Sequence, residues 1–334
     1  MSGSDSFSGS VLVLQGGPDA EREVSLLSAG AITKALRSAS RGAVHLETID
    51  RIDLARLRAL PGDVIFPVLH GQFGEGGPLQ DLLEQDGRPF VGCKSRAARA
   101  AMDKLYTKFV ALRSGVPCGE SAVFNPLDTE SPVELPLVLK PVHDGSSVGL
   151  HLCRDRAAWE AARLAAVEDL KKHPARVYSV ERLITGREIT AGVLDGKALP
   201  LIEITPADGV YDFQAKYYRE DTRYQVEPAL PHGMTTMIQN YAVRVATAIG
   251  VRHLCRVDFI LDRTDTPWLL EVNTMPGFTD HSLVPMAARR TGLEMPDLCW
   301  KLVGMAVRDH ESHLAGAGAA GPGGPLGPRA GGLR

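Results

Sequence analysis

Cysteine is scarce and scattered. The five present (Cys93, Cys118, Cys153, Cys255, Cys299) are odd in number and never form CxxC. That excludes a disulfide framework or a zinc knuckle and points to free thiols in a reducing compartment. No apolar run approaches the ~20 residues that a membrane-spanning helix needs, and the opening MSGSDSFSGS lacks the basic-then-apolar pattern of a secretory signal. A formal charge of −3 leaves no strong field of either sign, so composition gives no pull toward nucleic acid or an anionic membrane. A cytoplasmic protein that binds neither is expected. What the chain does have is 334 residues, 44% apolar and 23% charged, enough for two or three compact units.

Val11 to Leu14 reads as a buried strand entering the turn Gly16-Gly17-Pro18, and a helix follows with Val24, Leu27, Ala31, Ile32, Ala35 and Leu36 on one face. A second apolar strand, Val64 to Leu69, runs into His70-Gly71. Pro78 opens a helix that Gly87 ends. This strand–helix alternation predicts a parallel α/β unit over residues 1–103. A smaller α+β unit over 104–186 starts from a helical stretch, Met102 to Arg113. It continues through the strand Leu137 to Pro141, the loop His143 to Gly149, a helix from Arg156 to Lys172 and an extended run from Arg176 to Ile184. The third unit, 187–314, opens on a hairpin turning at Asp195-Gly196 between Ile189–Leu194 and Ala198–Ile204. Ala207 to Pro228 has no clear period, which suggests a functional lid. A helix from Met234 to Ile249, closed by Gly250, leads to two strands, Cys255 to Leu261 and Trp268 to Asn273. From Ala315 the composition is Gly, Pro and Ala, a tail with too little apolar surface to pack, so 315–334 is expected to be disordered.

Three places carry chemistry. Alternation along a strand puts Arg256 with Asp258 on one face, and Glu271 with Asn273. Paired as a hairpin across Arg263 to Pro267, the two strands present Asp, Glu and Asn together, a hard-oxygen set of the kind magnesium prefers beside phosphates; the bland alternative is the polar face of an antiparallel sheet. Second, Gly145-Ser146-Ser147-Val148-Gly149 follows the strand bearing Lys140. It can cradle an anion through backbone N–H groups and serine hydroxyls, or be an ordinary turn; it matches neither the Walker nor the Rossmann fingerprint. Third, Glu21-Arg22-Glu23-Val24-Ser25 stands at a helix start, where an acidic residue caps the dipole or serves a site. His70-Gly71, at a strand end, is equally open, although ligands bind at strand C-termini in parallel sheets.

Taken in order, these segments resemble the D-alanine–D-alanine ligases of the ATP-grasp superfamily. The matching stretches are Gly16-Gly17 through Ser25, His70-Gly71 with Gly74-Glu75, Met102-Asp103-Lys104, Lys140-Pro141, and Gly145 to Gly149. Tyr211-Asp212 with Lys216-Tyr217, Arg256-Val257-Asp258, and Glu271 to Gly277 running into His281 to Pro285 complete the set. They cover residues 10 to 310.

The resemblance implies a three-domain ATP-grasp fold, α/β and α+β, with an N-terminal parallel α/β domain. It implies ATP-dependent joining of two D-alanines through D-alanyl-phosphate, for peptidoglycan precursors, by a homodimer. Lys104, Lys140 and Lys216 fall at nucleotide-binding positions, and Glu181 and Arg182 (through backbone), Ile184 and Glu188 at adenine and ribose positions. Asp258, Glu271 and Asn273 would hold two magnesium or manganese ions. Glu21 would hold the first D-alanine's ammonium, linked to Ser146 and Tyr217, with His70 in the substrate pocket. Ser282 and Leu283 would receive the second D-alanine's carboxylate. Arg256 and the Gly277 N–H would stabilise the tetrahedral oxyanion, and a lid bearing Lys216 and Tyr217 would exclude water from a labile acyl-phosphate. One departure is Gly76, where the family usually has Asp. Rival readings are a D-alanyl-D-lactate ligase, against which Tyr217 stands; an inactive ATP-binding protein, expected to have lost Arg256, Asp258, Glu271 or Asn273; and another ATP-grasp enzyme such as a carboxylase.

Overall fold

The computed structural model describes residues 7–39, 41–145, 149–206, 222–279 and 281–319. β1 (Val11–Gly16) pairs in parallel with β2 (Val44–Ile49) and β3 (Val64–Pro67), and Phe90 adds a parallel bridge to Ile65. β1 is apolar from Val11 to Leu14 because both faces are covered. Val11 and Val13 pack with α1 (Arg22–Ser38) and the C-terminal helix α10 (Met295–Ala319); Leu12 and Leu14 pack against α2 (Leu54–Ala59) and α4 (Pro78–Asp86). Between β3 and α4, the single turn α3 (Gly71–Gly74) carries the chain away from the strand end.

The second sheet has the antiparallel order β4-β7-β5-β6, from Ser121–Val123, Tyr178–Arg182, Leu137–Pro141 and His151–Cys153. α7 (Arg156–Lys172) covers it with Trp159, Ala162 and Ala166. The third sheet runs β11-β10-β8-β12-β13, antiparallel, from Arg223–Val226, Ile202–Thr205, Arg187–Leu194, Leu254–Leu261 and Pro267–Asn273; β9 (Lys197–Ala198) pairs with β8. Its Ile189, Ala191, Val257 and Phe259 face α5 (Ser95–Met102), α6 (Lys104–Arg113) and α8 (Met234–Ile249). Period-two alternation then sends Thr190, Arg256, Asp258 and Ile260 to the opposite face. α9 (Leu283–Arg290) joins β10 and α1 in the largest core cluster.

Several expectations change in detail. Leu27 is 61% exposed, so the buried stripe of α1 is Val24, Ser25, Ser28, Ala29, Ile32, Thr33, Ala35 and Leu36. Two buried serines take the place of leucine because they bond outward to the neighbouring loops: Ser25 Oγ donates to the Val68 carbonyl, and Ser28 Oγ accepts the Phe278 N–H at 3.1 Å. The helix expected from Met102 is two helices. Asp103 has extended backbone, and its side chain accepts the Tyr106 N–H, so it caps α6 and breaks it from α5. Between Leu36 and Val64 the sequence pattern alone assigns no element; β2 and α2 lie there, and β2 is only half-buried, which blurs its alternation. β11 occupies the end of the expected lid, and the lid's residues 207–221 lie outside those described. The last helix runs to Ala319, past the start of the tail expected from 315. The hairpin turn is as read: Asp195 and Gly196 have φ of 55° and 70°, the two left-handed positions of a type I′ turn between paired Leu194 and Lys197.

Candidate active site

Two adjoining cavities lie at the meeting of the three sheets. The larger, about 520 Å³, is lined by Lys104, Lys108, Lys140, Glu181, Arg182, Ile184, Glu188, Asp258, Leu270 and Glu271, among others. The smaller is lined by Glu21, His70, Glu75, Lys104, Gly145, Arg256, Glu271 and Asn273. Lys104 and Glu271 belong to both, with Nζ and Oε2 3.8 Å apart, so the two spaces share a wall of one cation and one carboxylate.

The floor of the site is the β12–β13 hairpin. In its register Arg256 stands opposite Asn273 and Asp258 opposite Glu271, and the register shifts between Asp258 and Phe259, which pairs with Leu269. The bulge leaves Leu270 as an extra residue and turns it into the larger cavity beside Glu271. Asp258 is buried and accepts from Thr190 Oγ at 2.6 Å and from Arg256 through Nε (2.9 Å) and Nη2 (2.9 Å). A guanidinium and a carboxylate two residues apart on one strand therefore form a fork-to-fork pair. Two carboxylates directly opposite on a ladder repel; Arg256 and Lys104 offset that repulsion in part, and a cation between Asp258 and Glu271 would offset the rest. The donor set of two carboxylates and an amide, all oxygen, fits a hard divalent ion sharing its shell with phosphates. Among the described residues there is no cluster of three or more His, Cys, Asp and Glu side chains to suggest a different kind of metal centre.

Above the floor, the wall of the larger cavity carries a charge cluster. Glu181 Oε2 accepts from Lys108 Nζ at 2.5 Å and from Lys140 Nζ at 2.9 Å, while Ser179 Oγ donates to Oε1 at 3.1 Å. Burial alone would push Glu181 up, but the Lys140 and Lys108 charges outweigh it and hold the carboxyl at about 2. Lys108, buried as deeply, is pushed down by desolvation against the pull of Glu181.

In the smaller cavity Glu21 lies against Gly145, and a Cβ at 145 would collide with Glu21 Oε1. His70 is 5% exposed; its Nδ1 faces Glu75 Oε1 at 3.7 Å and its buried Nε2 has no hydrogen-bond partner among the described residues. Lys104 Nζ donates to the Asp144 carbonyl at 2.6 Å, tying α6 to the loop that leads to Gly145. Beyond this cavity, Gly277 abuts Ser282, whose Oγ accepts the Thr279 N–H at 2.8 Å, and Ser282 stands at the N-cap of α9. The Leu283 side chain is 5% exposed in the core, so only its backbone can face a ligand, through the first-turn N–H groups that a helix leaves without acceptors.

The structure thus gathers Lys104, Lys140, Glu181, Arg182, Ile184, Glu188, Asp258 and Glu271 around one space, and Glu21, His70, Arg256, Glu271 and Asn273 around its neighbour. Gly277, Ser282 and Leu283 line neither, and Ser146, Lys216 and Tyr217 lie outside the described residues. Sequence reasoning missed Lys108 and Thr190 and gave Glu75 no role. Lys108 was findable: one turn after Lys104, it shares that residue's helix face.

Comparison with known proteins finds relatives over most of the chain. The family described as D-ala D-ala ligase C-terminus matches residues 108–304. The D-alanine–D-alanine ligase of Bordetella avium is 42% identical over 302 residues, which cover 87% of this chain and 92% of that protein. Among solved structures, the D-alanine–D-alanine ligase from Coxiella burnetii superposes with a TM-score of 0.79 at 26% identity, over 93% of this chain and 97% of that one. The Bacillus anthracis enzyme complexed with ATP superposes with 0.77 at 26%, over 92% and 100%. With a family match over more than half its length and a relative of this identity spanned nearly end to end, the chain has the ATP-grasp fold and belongs to the D-alanine–D-alanine ligase family.

Proposed function

We propose that the protein joins two D-alanine molecules, with ATP converting the first to D-alanyl-phosphate, in the cytoplasm and in the service of peptidoglycan precursor synthesis. The observation that carries this is the shared wall: Lys104 and Glu271 line both a cavity of nucleotide size and a small, charge-lined pocket. A carboxylate is a poor electrophile, and an activating phosphate must reach it without admitting water. We assign the nucleotide to the larger space, with Ile184, Glu188 and the backbone of Glu181 and Arg182 at the base and ribose and Lys140 and Lys104 at the phosphates; Lys216 belongs to the same set. These are domains 104–186 and 187–314 acting as the two jaws, with 1–103 closing the amino-acid side.

Asp258, Glu271 and Asn273 would hold two divalent ions, magnesium or manganese. When bound, these ions would neutralise charge spread over the phosphoryl group in transfer. In the smaller pocket Glu21 pairs with the first D-alanine's ammonium, Ser146 and Tyr217 complete that contact, and the buried Nε2 of His70 gains a partner in the substrate. Arg256 and the Gly277 N–H would stabilise the oxyanion formed when the second amine attacks. The first turn of α9, at Ser282 and Leu283, receives the second carboxylate. A homodimer is part of this proposal by family likeness. The test is phosphate release from ATP with and without D-alanine, with the product identified by mass. Release that does not depend on D-alanine, or a product other than the dipeptide, overturns it.

A further inference from the structure

The larger cavity contains a lysine that the proposed reaction does not use. Lys108 is 3% exposed, and its ammonium is committed to Glu181 Oε2, so it is too enclosed to be a phosphate ligand in its own right. The same oxygen also holds Lys140, whose side chain is more open at 13% and reaches the cavity where phosphates would lie. Two ammonium groups on one carboxylate oxygen leave the trio with a net positive charge and an exchangeable member. If Lys140 moves to a phosphate, Glu181 stays neutralised by Lys108. Without Lys108, moving Lys140 would strand a buried, unpaired carboxylate, which is far costlier than a solvated one.

We propose that Lys108 is a positioning residue for nucleotide binding: it is the permanent counter-ion of Glu181, and so releases Lys140 for the nucleotide phosphates. This rests on the reading of the larger cavity as the ATP site. The covalent connections favour the arrangement. Lys108 sits on α6 one turn beyond Lys104, packed beneath β13, whereas Lys140 sits on β5, and Glu181 stands on β7 directly beside β5. The resident ion comes from the helix and the mobile one from the sheet that covers the cavity.

The experiment compares wild type, Lys140→Met, Lys108→Met, Glu181→Gln and the double variant Lys108→Met/Glu181→Gln. ATP affinity is measured by calorimetry without D-alanine, KM and kcat by coupled assay, and folding by thermal melting. Loss of Lys108 alone should raise the KM for ATP about tenfold or more, the scale of one charge-assisted contact, with kcat changed much less. The double variant should recover most of that loss, because with no carboxylate to neutralise, Lys140 is free again. In the Glu181→Gln background, deleting Lys108 should leave ATP affinity unchanged, a comparison that holds even if Lys108→Met alone does not fold. A double variant no better than Lys108→Met, or a further loss of affinity relative to Glu181→Gln, overturns the proposal. Failure of the underlying site reading looks different: Lys140→Met would then bind ATP as wild type does.

Discussion

Glu75 Oε2 accepts the backbone N–H of Met275 at 3.2 Å, across 200 residues of chain. Its other oxygen accepts the Gly71 N–H at 3.3 Å and faces His70. One buried carboxylate therefore ties the loop that presents His70 to the loop leaving Asn273, whose own Oδ1 accepts the same Met275 N–H at 3.0 Å. Glu75→Gln keeps the volume but turns one acceptor into a donor against a donor. It should lower unfolding stability by about 1–3 kcal/mol, the cost of one mispaired buried group, and raise the KM for D-alanine while leaving that for ATP near its wild-type value. Denaturant melts and the two KM values check this; equal changes in both would show that the staple does not act on the amino-acid pocket.

Why Glu75 escapes a reading of the sequence while Arg256 and Asp258 do not is a matter of range. Arg256, Asp258, Glu271 and Asn273 are placed by period-two alternation and a short hairpin, both local and therefore legible. Glu75, Thr190 and Lys108 act through partners 200, 68 and 73 residues away, which no local pattern encodes. Leu270 joins the cavity only through a β-bulge, and nothing in Trp268 to Asn273 announces an extra residue. Leu27 misleads in the opposite sense: it fits a helical stripe, yet Ser25 and Ser28 hold the buried positions because loops from elsewhere meet them with polar groups. The parallel sheet and the two antiparallel sheets follow changes of pattern visible along the chain, whereas the break at Asp103 required the cap itself to be seen.

Glu271 faces Asp258 across the hairpin and Lys104 across the cavity wall. Glu271→Gln keeps the shape and removes the charge a divalent ion requires. Ligation should fall by at least about 100-fold, the scale expected for metal and phosphoryl charge stabilisation, with the melting temperature within a few degrees of wild type. Stripping divalent ions with a chelator should likewise stop the native enzyme, and excess magnesium should restore it. Near-normal turnover of the variant at low magnesium would remove Glu271 from the metal set.

His253 offers a pH test away from the chemistry. Its Nδ1 accepts the Gly92 N–H at 2.9 Å, which fixes the proton on Nε2, where it is donated to Asp309 at 3.1 Å. Desolvation pushes its pKa below the usual 6.5, outweighing the pull of Asp309, and Arg252 adds to the depression. A base whose folded pKa is depressed takes up its proton more readily in the unfolded chain. Stability from this group is therefore complete above pH 6.5 and declines as the pH falls below it. Protonation would also cost the Gly92 bond, since a charged imidazole has no acceptor. Unfolding free energy measured from pH 8 to pH 5 should drop across that window, and the slope should flatten in His253→Gln. An unchanged slope in the variant would assign the drop to other groups.

The choice of second substrate can be tested by its proton. The incoming amine of D-alanine is an ammonium at neutral pH, since α-amines titrate at about 7.7–8.0 in peptides and higher in free amino acids. A dipeptide-forming site must admit that cation and release its proton before attack. D-lactate brings a hydroxyl without the charge, and a site tuned to it would reject the zwitterion. By the resemblance, Tyr217, within Tyr211-Asp212-Phe213-Gln214-Ala215-Lys216-Tyr217, would be the residue that sets this chain apart from lactate-using ligases. Direct competition between the two substrates from pH 6 to pH 9, with products separated by mass, should give dipeptide at every pH. Its absolute rate should weaken below neutrality, where less of the amine is free. Depsipeptide dominating at pH 6 to 7 would move the protein to the lactate-using class, because only a site that discriminates against the cation gains from the lower pH.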